Sequence, residues 1–308
     1  MIRTDCRFVH ASSQDDGAPR DEKDLTDMTM SYKTILAILR SQDDCEQVLD
    51  TAVQLTRQFD AHLIGFNAEA AVRIAYAAPI EIPDATAFKI DQQESKEKME
   101  AIHALFSARC EREDISGEWR TVHSSSGDSA LSALPSARCA DLVVVRQQHP
   151  EKLNDYADLD ALVLESGRPV LFVPYIGRET RPIKHAIIAW NGTRQSARAA
   201  FDAMPFLTRA DTVEIFCVDP EDNAEQTPAM AGAELAATLT RHGINVTAHT
   251  EQTDGLAPAS AIENRLSDTG ADLLVMGAYS RSRLREYLFG GVTRTIFQSM
   301  TNLTLMSS

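Results

Sequence analysis

The stretch Ala271–Gly291, ADLLVMGAYSRSRLREYLFGG, decides how the chain is read. Its apolar run from Leu273 to Met276 is short enough for a strand buried on both faces. Gly277 ends that run where the chain must turn without a Cβ, and the pair Gly290-Gly291 lets backbone N–H groups approach an anion. A helix N-terminus, Val292 to Met300, follows at once, and helix N-termini favour negative charge. Between the glycines Arg281, Arg283 and Arg285 outnumber the single acid Glu286. A local positive field inside a chain whose formal net charge is -15 points to an anionic ligand. The same residues also fit a solvated loop and an amphipathic helix, since short glycine spacings carry little information alone.

At 308 residues, 44% of them hydrophobic, the chain can fill two ordinary cores. No apolar run approaches the ~20 residues that cross a bilayer, and the N-terminus carries acids but no hydrophobic signal region, so a soluble cytoplasmic protein is expected. The five cysteines Cys6, Cys45, Cys110, Cys139 and Cys217 are widely spaced with no CxxC pair, and are expected to be reduced and structural. An acidic chain repels nucleic-acid phosphates, which argues against DNA or RNA as a partner. Residues 1–29 are acid-rich and interrupted by Ser12, Ser13, Gly17 and Pro19, with no sustained period, so a disordered tail is expected. Met28 and Met30 stand just before the first convincing strand, and the natural start is expected at one of them. The intact mass of protein expressed from its own ribosome-binding site checks this: a mass that includes Met1 rejects it.

A faint internal duplication follows. Ala140–Val145 (ADLVVV) returns as Ala271–Met276 (ADLLVM), and Ala130-Leu131 returns at the same spacing as Ala261-Ile262. Lys33–Ile38 (KTILAI) resembles His185–Trp190 (HAIIAW), with loops of different length between. The repeat divides the chain into units at 30–176 and 182–308.

Within each unit short apolar runs alternate with helical patterns, the signature of βαβ units and a parallel sheet. Strands are expected near Thr34–Leu39, His62–Ala68, Glu118–Val122, Leu142–Val145 and Val170–Val173. In the second unit they fall near Ala186–Trp190, Val213–Val218, Asn245–His249, Leu273–Met276 and Leu303–Met306. A helix at Cys45–Phe59 places Val48, Leu49, Ala52, Leu55 and Phe59 on one face, and Gln195–Leu207 repeats that stripe with Ala197, Ala200, Phe201, Met204 and Leu207. A longer helix near Gln92–Glu113 carries His103 on its apolar stripe, where a core histidine is favoured over a ligand. Tyr76 to Ile90 reads as a long connection. Each unit is thus a five-stranded open α/β sheet with helices on both faces. Such sheets bind ligands beyond the carboxyl ends of the strands, where strand order reverses. In the second unit that crevice gathers Asn191, Gly192, Thr193, Gly277 and Gly290-Gly291.

The duplication together with GAYSRSRLREYLFGGVTR resembles the universal stress protein family in its tandem two-domain form, over Ser31 to Ser308. The resemblance implies an α/β fold of adenine-nucleotide α-hydrolase-like type: two tandem parallel sheets, strand order 3-2-1-4-5. Many members bind ATP through Gly-x2-Gly-x9-Gly-Ser/Thr. On this chain the motif falls at Gly277, Ser280, Gly290 and Gly291. Ser280 replaces a glycine and Gly291 lacks the phosphate-binding hydroxyl, which Thr293 could supply. The family's first-strand aspartate becomes Asn191, beside Gly192. Val218 matches the position whose backbone faces adenine. Arg281 would add charge, and Gly290, Gly291 and Val292 backbone donors, for ATP (with Mg²⁺) or AMP. In the first unit Arg146 stands where Gly277 stands in the second, no glycine pair follows, and the site reads as degenerate. The final strands, which pair across a dimer in the family, are expected to pair within this chain as a pseudo-dimer, leaving a homodimer open.

Competing chemistries lack their residues. Ser126-Gly127-Asp128-Ser129 follows the third strand rather than the first and reads as a turn with Asp128 as helix cap. Asn191-Gly192-Thr193 is no dinucleotide fingerprint, and GxSxG, HExxH and clustered Cys/His spacings are missing. No general base is placed near the glycines, which argues against catalysis beyond weak nucleotide hydrolysis. Two readings remain: a nucleotide-binding stress protein whose occupancy changes the surface seen by an unknown protein partner, and a nucleotide-free docking module.

Overall fold

The structure is a computed structural model that describes residues 3–5, 30–70, 85–124, 128–148, 158–176, 181–220, 230–278 and 291–308. After a short strand β1 (Arg3–Asp5), the first half runs β2 (Thr34–Ile38), α1 (Gln42–Phe59), β3 (His62–Ala70), α2 (Ala85–Glu113), β4 (Gly117–Ser124), α3 (Ser129–Ala137), β5 (Leu142–Arg146), α4 (Leu159–Ser166) and β6 (Val170–Val173). The second half runs β7 (His185–Ala189), α5 (Arg194–Asp202), α6 (Met204–Leu207), β8 (Thr212–Val218), α7 (Ala233–Arg241), β9 (Val246–Glu251), α8 (Pro258–Thr269), β10 (Leu273–Gly277), α9 (Gly291–Ser299) and β11 (Leu303–Ser307).

All described strands form one 11-stranded sheet in the order β1-β4-β3-β2-β5-β6-β11-β10-β7-β8-β9. Counted within each half, both five-stranded runs read 3-2-1-4-5, as expected. The two sheets are continuous because β6 and β11 pair antiparallel, with Leu171 opposite Leu305. That pairing covers two edges that would otherwise offer unsatisfied N–H and C=O groups. The central strands β5, β6 and β10 are buried on both faces, which is why they read as unbroken apolar runs.

The repeated Ala-Asp dipeptide has a structural task. Asp141 Oδ2 accepts hydrogen bonds from Lys33 N and Thr34 N at 2.8 and 2.9 Å. Asp272 Oδ2 does the same for Lys184 N and His185 N at 2.9 and 3.0 Å. Each carboxylate ties the start of the half's first strand to its fourth, fixing the neighbours on which the order reversal depends.

Two cores flank the sheet, and both cross the seam between halves. One joins Phe59 and Leu171 to Leu305 and Phe206; the other joins Leu162 and Phe172 to Met306 and Ile296. On the first face the rings of Tyr32, Phe59 and Phe206 lie 5.1 to 5.4 Å apart, and the Tyr32 hydroxyl donates to Asp202 O at 2.6 Å. Aromatic pairs of this kind add about 0.5–1.5 kcal/mol each beyond their buried area.

Four sequence expectations change. Residues 3–5 of the tail form an antiparallel strand on β4, whose outer edge offers a free ladder of backbone groups; the rest of residues 1–29 lie outside the described residues. α2 begins at Ala85, inside the stretch read as a connection. The helix read as Gln195–Leu207 is two: α5 stops at Asp202, and α6 restarts with Pro205 in its first turn, where a missing N–H costs nothing. The helix after Gly290 starts at Gly291 and ends at Ser299, one residue earlier at each end than read. His103 stacks on Trp119 at 4.9 Å, a packing role. Asp128 caps α3, its Oδ1 accepting from Ala130 N and Leu131 N at 2.8 and 3.1 Å.

Candidate functional site

In the second half the order reverses between β7 and β10, and the crevice lies beyond their carboxyl ends. The turn after β7 is built by three residues. Gly192 has φ +69°, the left-handed region that favours glycine. Asn191 Oδ1 accepts from Thr193 N at 3.2 Å and from Thr193 Oγ1 at 2.7 Å. Thr193, extended, caps α5 through a 3.4 Å bond from Ser196 N. Asn191 and Gly192 are exposed at the rim.

Gly277 closes the other side. A Cβ there would lie 2.5 Å from both Gln195 C and Ser196 N. The first turn of α5 therefore rests directly on the end of β10, and only glycine allows that approach. This packing explains Gly277 without a ligand, while also aiming the α5 N-terminus at the crevice. Gly291 differs: it is exposed, and among the described residues nothing lies within 4 Å of where its Cβ would be. Val292 packs its side chain on the second core and Thr293 is buried. Val218 ends β8, half-buried and in register with Glu251 of β9. Ser280, Arg281 and Gly290, with Arg283 and Arg285, lie outside the described residues.

The structure therefore sets the Asn191–Thr193 turn after β7, the strand beside β10, rests Gln195 and Ser196 on Gly277, starts α9 at Gly291, and keeps Val218 at the end of β8, the strand on the other side of β7. Sequence reading missed one feature of this rim. Asp219, just beyond Val218, has φ 44°, and its carboxylate accepts from Thr253 N at 2.7 Å and Thr253 Oγ1 at 2.6 Å. The Thr253 side-chain and backbone bonds hold its carboxyl below the usual value. Asp254 and Gly255 follow with φ 48° and 102°. The signal was Thr-Asp-Gly after an alternating strand and Asp-Pro after β8, both turn dipeptides.

The first half fills the matching place with its own side chains. Arg146 ends β5, and its Nη1 donates to Asp43 O and Asp44 Oδ1, both at 3.0 Å. Its Nη2 reaches Tyr175 O at 3.1 Å. Arg40 binds Asp44 Oδ2 through Nε at 3.1 Å and the Arg146 carbonyl through Nη2 at 3.1 Å. An Arg-Asp-Arg cluster thus sits over the first turn of α1, where Gly277 leaves bare backbone contact in the other half.

The remaining chemistry is plain. Among the described residues no three His, Cys, Asp or Glu side chains converge to hold a metal ion, and no helix is long and apolar enough to cross a membrane. A concavity of about 370 Å³ beside β4 and α3 is lined by Phe66, Arg120, Val122, His123, Ser132 and Ser136. Arg120 there is bonded to Glu118.

Residues 183–305 match the family model of the universal stress protein family. No curated protein matches the chain. Among solved structures, a universal stress protein from Archaeoglobus fulgidus superposes with a TM-score of 0.67 at 14% identity, covering 89% of this chain and 98% of that one. A protein of unknown function from Pseudomonas aeruginosa superposes at 0.55 and 16% identity, covering 92% of this chain and 94% of that one. At such identities the likeness shows the fold, and it extends over both halves. The sequence match to the universal stress protein family thus covers the second half, residues 183–305, and the likeness of fold covers both halves.

Proposed function

We propose that the second half binds an adenine nucleotide, ATP or AMP, beyond the carboxyl ends of β7 and β10, and that the first half serves as a partner domain without a site of its own. The observation that carries this reading is the contrast between halves. Gly277 admits the start of α5 and Gly291 starts α9 with no described residue within 4 Å of its Cβ position, whereas Arg146, Asp44 and Arg40 occupy the corresponding place in the first half. Two helix N-termini directed at one crevice favour phosphate, because the first N–H groups of a helix lack intrahelical partners.

In this reading Gly277 positions α5, and Gly291 and Val292 offer backbone N–H groups. Asn191 offers its side-chain amide nitrogen, its oxygen being engaged by Thr193, and the end of β8 at Val218 with Asp219 forms the adenine side. Ser280, Arg281, Gly290 and Thr293 belong to the same site by sequence. Mg²⁺ would accompany ATP through the phosphates. The role is that of a non-catalytic stress-response protein whose occupancy alters a surface read by another protein.

A second reading, a nucleotide-free docking module, is favoured by Gly277 being required for packing and by Asn191 Oδ1 being engaged within its own turn. Calorimetric titration with ATP and AMP, with and without Mg²⁺, separates the two. Saturable heat lost in Gly291→Glu supports the nucleotide reading, since the fold has room for that side chain and its charge opposes phosphate. No heat from the parent at millimolar nucleotide leaves the docking module.

A further inference from the structure

The seam places a first-half side chain on the helix that opens the second half's cradle. α9 starts at Gly291 and carries Phe297 in its last turn. The last four carbonyls of a helix have no intrahelical partner, and Phe297 O is among them. Gln147, just beyond β5 of the first half, is 1% exposed and donates from Nε2 to Phe297 O at 2.7 Å. Its Oε1 accepts from Tyr175 N at 3.0 Å, so one orientation of the amide satisfies both partners. The Phe297 ring meets Phe172 edge-on, with centroids 4.8 Å apart. In the second half the equivalent position is Ala278, which has no polar side chain to offer in return.

We infer that Gln147 is a positioning residue for the second half's ligand site: by capping the C-terminal turn of α9 from the other half, it fixes where the Gly291 end presents its N–H groups. This rests on the nucleotide reading of that site. A nine-residue helix rises about 1.5 Å per residue and behaves as a short rigid rod, so a shift at Phe297 is carried to Gly291. The first half, its own crevice filled, is thereby part of the site in the second. Linkage makes the coupling reciprocal: a ligand at Gly291 tightens the seam at Gln147.

The test uses the full chain as parent, Gln147→Leu, Gln147→Glu and Ser308→Ala. Gln147→Glu keeps an acceptor for Tyr175 N while replacing the donor that faces Phe297 O. Ser308 Oγ donates to Val163 O at 3.2 Å, another contact across the seam that does not touch α9. ATP titration and hydrogen exchange of the ligand-free α9 amides are measured on each. Both Gln147 variants are expected to bind ATP about three- to tenfold more weakly, with faster α9 exchange, while Ser308→Ala matches the parent in both. Unchanged affinity, or an equal loss in Ser308→Ala, overturns the inference. A parent that gives no heat with ATP rejects the nucleotide reading instead. The exchange of ligand-free α9 in Gln147→Leu then decides the capping role: faster exchange supports it and unchanged exchange overturns it.

Discussion

Arg146 Nη1 lies 3.0 Å from Asp44 Oδ1, and this pair, joined by Arg40, stands in the first half where Gly277 stands in backbone contact with α5 in the second. Both side chains are largely withdrawn from water, at 14% and 11% exposure. Removing one partner from a buried pair strands the other, which typically costs roughly 3–5 kcal/mol. Here Arg40 remains on Asp44, so Arg146→Met is expected to cost about 1–3 kcal/mol in urea unfolding. Adding Asp44→Asn should cost less than the sum of the single changes, the mark of residues acting in one cluster. Strict additivity would show that the pair contributes nothing as a unit.

Gly277 and Gly291 are predicted to respond oppositely to the same change. Gly277→Ala drives a Cβ to 2.5 Å from two backbone atoms of α5, which cannot move aside as a side-chain tip can. Overpacking of this kind costs about 1–3 kcal/mol, and thermal unfolding should record a clear drop. Gly291→Ala meets nothing within 4 Å and should leave the melting temperature unchanged or slightly raised, because alanine favours helix more than glycine does. Equal effects at the two sites would contradict the geometry described for β10 and α9.

The strand order was readable because buried parallel strands announce themselves as unbroken apolar runs, and because Asp141 and Asp272 repeat with a structural task at the same point of each half. The division of the Gln195–Leu207 stripe was not readable from periodicity; only Pro205 marked the break, and the buried face differs from the expected one, with Phe201 49% exposed and Ser196, Ala199 and Phe206 buried. Gly277 was legible as a glycine that matters, but its reason, the backbone of Gln195 and Ser196, exists only once β10 and α5 meet. Arg146 was legible as a lost glycine, whereas its partners Asp44 and Arg40 could not be assigned before α1 was placed beside β5. Gln147 carried no local signal at all, because its partner Phe297 O lies in the other half.

The cysteines divide by burial. Cys45, Cys110 and Cys217 are buried and free, while Cys139 is exposed. Burial, reinforced at Cys45 by Asp44, pushes the Cys45 thiol up to about 12, and burial pushes Cys110 and Cys217 up to about 11. A thiolate is the reactive species, so these three are shielded both by access and by protonation. Maleimide labelling of the native protein, read by peptide mapping, should modify Cys139 and spare Cys45, Cys110 and Cys217 until denaturant is added; Cys6 lies outside the described residues. Native labelling of Cys45 at a comparable rate would contradict its burial near the start of α1.

Glu118 supplies a pH-dependent part of the stability with a definite sign. Arg120 binds it through two hydrogen bonds of 2.7 and 3.2 Å, and His62 Nε2 stands 3.5 Å away. The Arg120 hydrogen bond, chiefly, holds the Glu118 carboxyl below its ordinary value of 4.5, with burial opposing and His62 assisting. A carboxyl lowered on folding stabilises the native state fully above its unfolded value, and the contribution is lost as pH falls through the lower native value. Glu118→Gln cannot ionise, so it should be less stable than the parent at neutral pH. The difference should close in acid, where the parent's own Glu118 becomes protonated. Urea midpoints for parent and variant from about pH 7 to about pH 3 measure this directly, and other carboxylates cancel in the comparison. A difference that stays constant across the range would mean that the Glu118–Arg120 pair contributes no electrostatic stability, only shape.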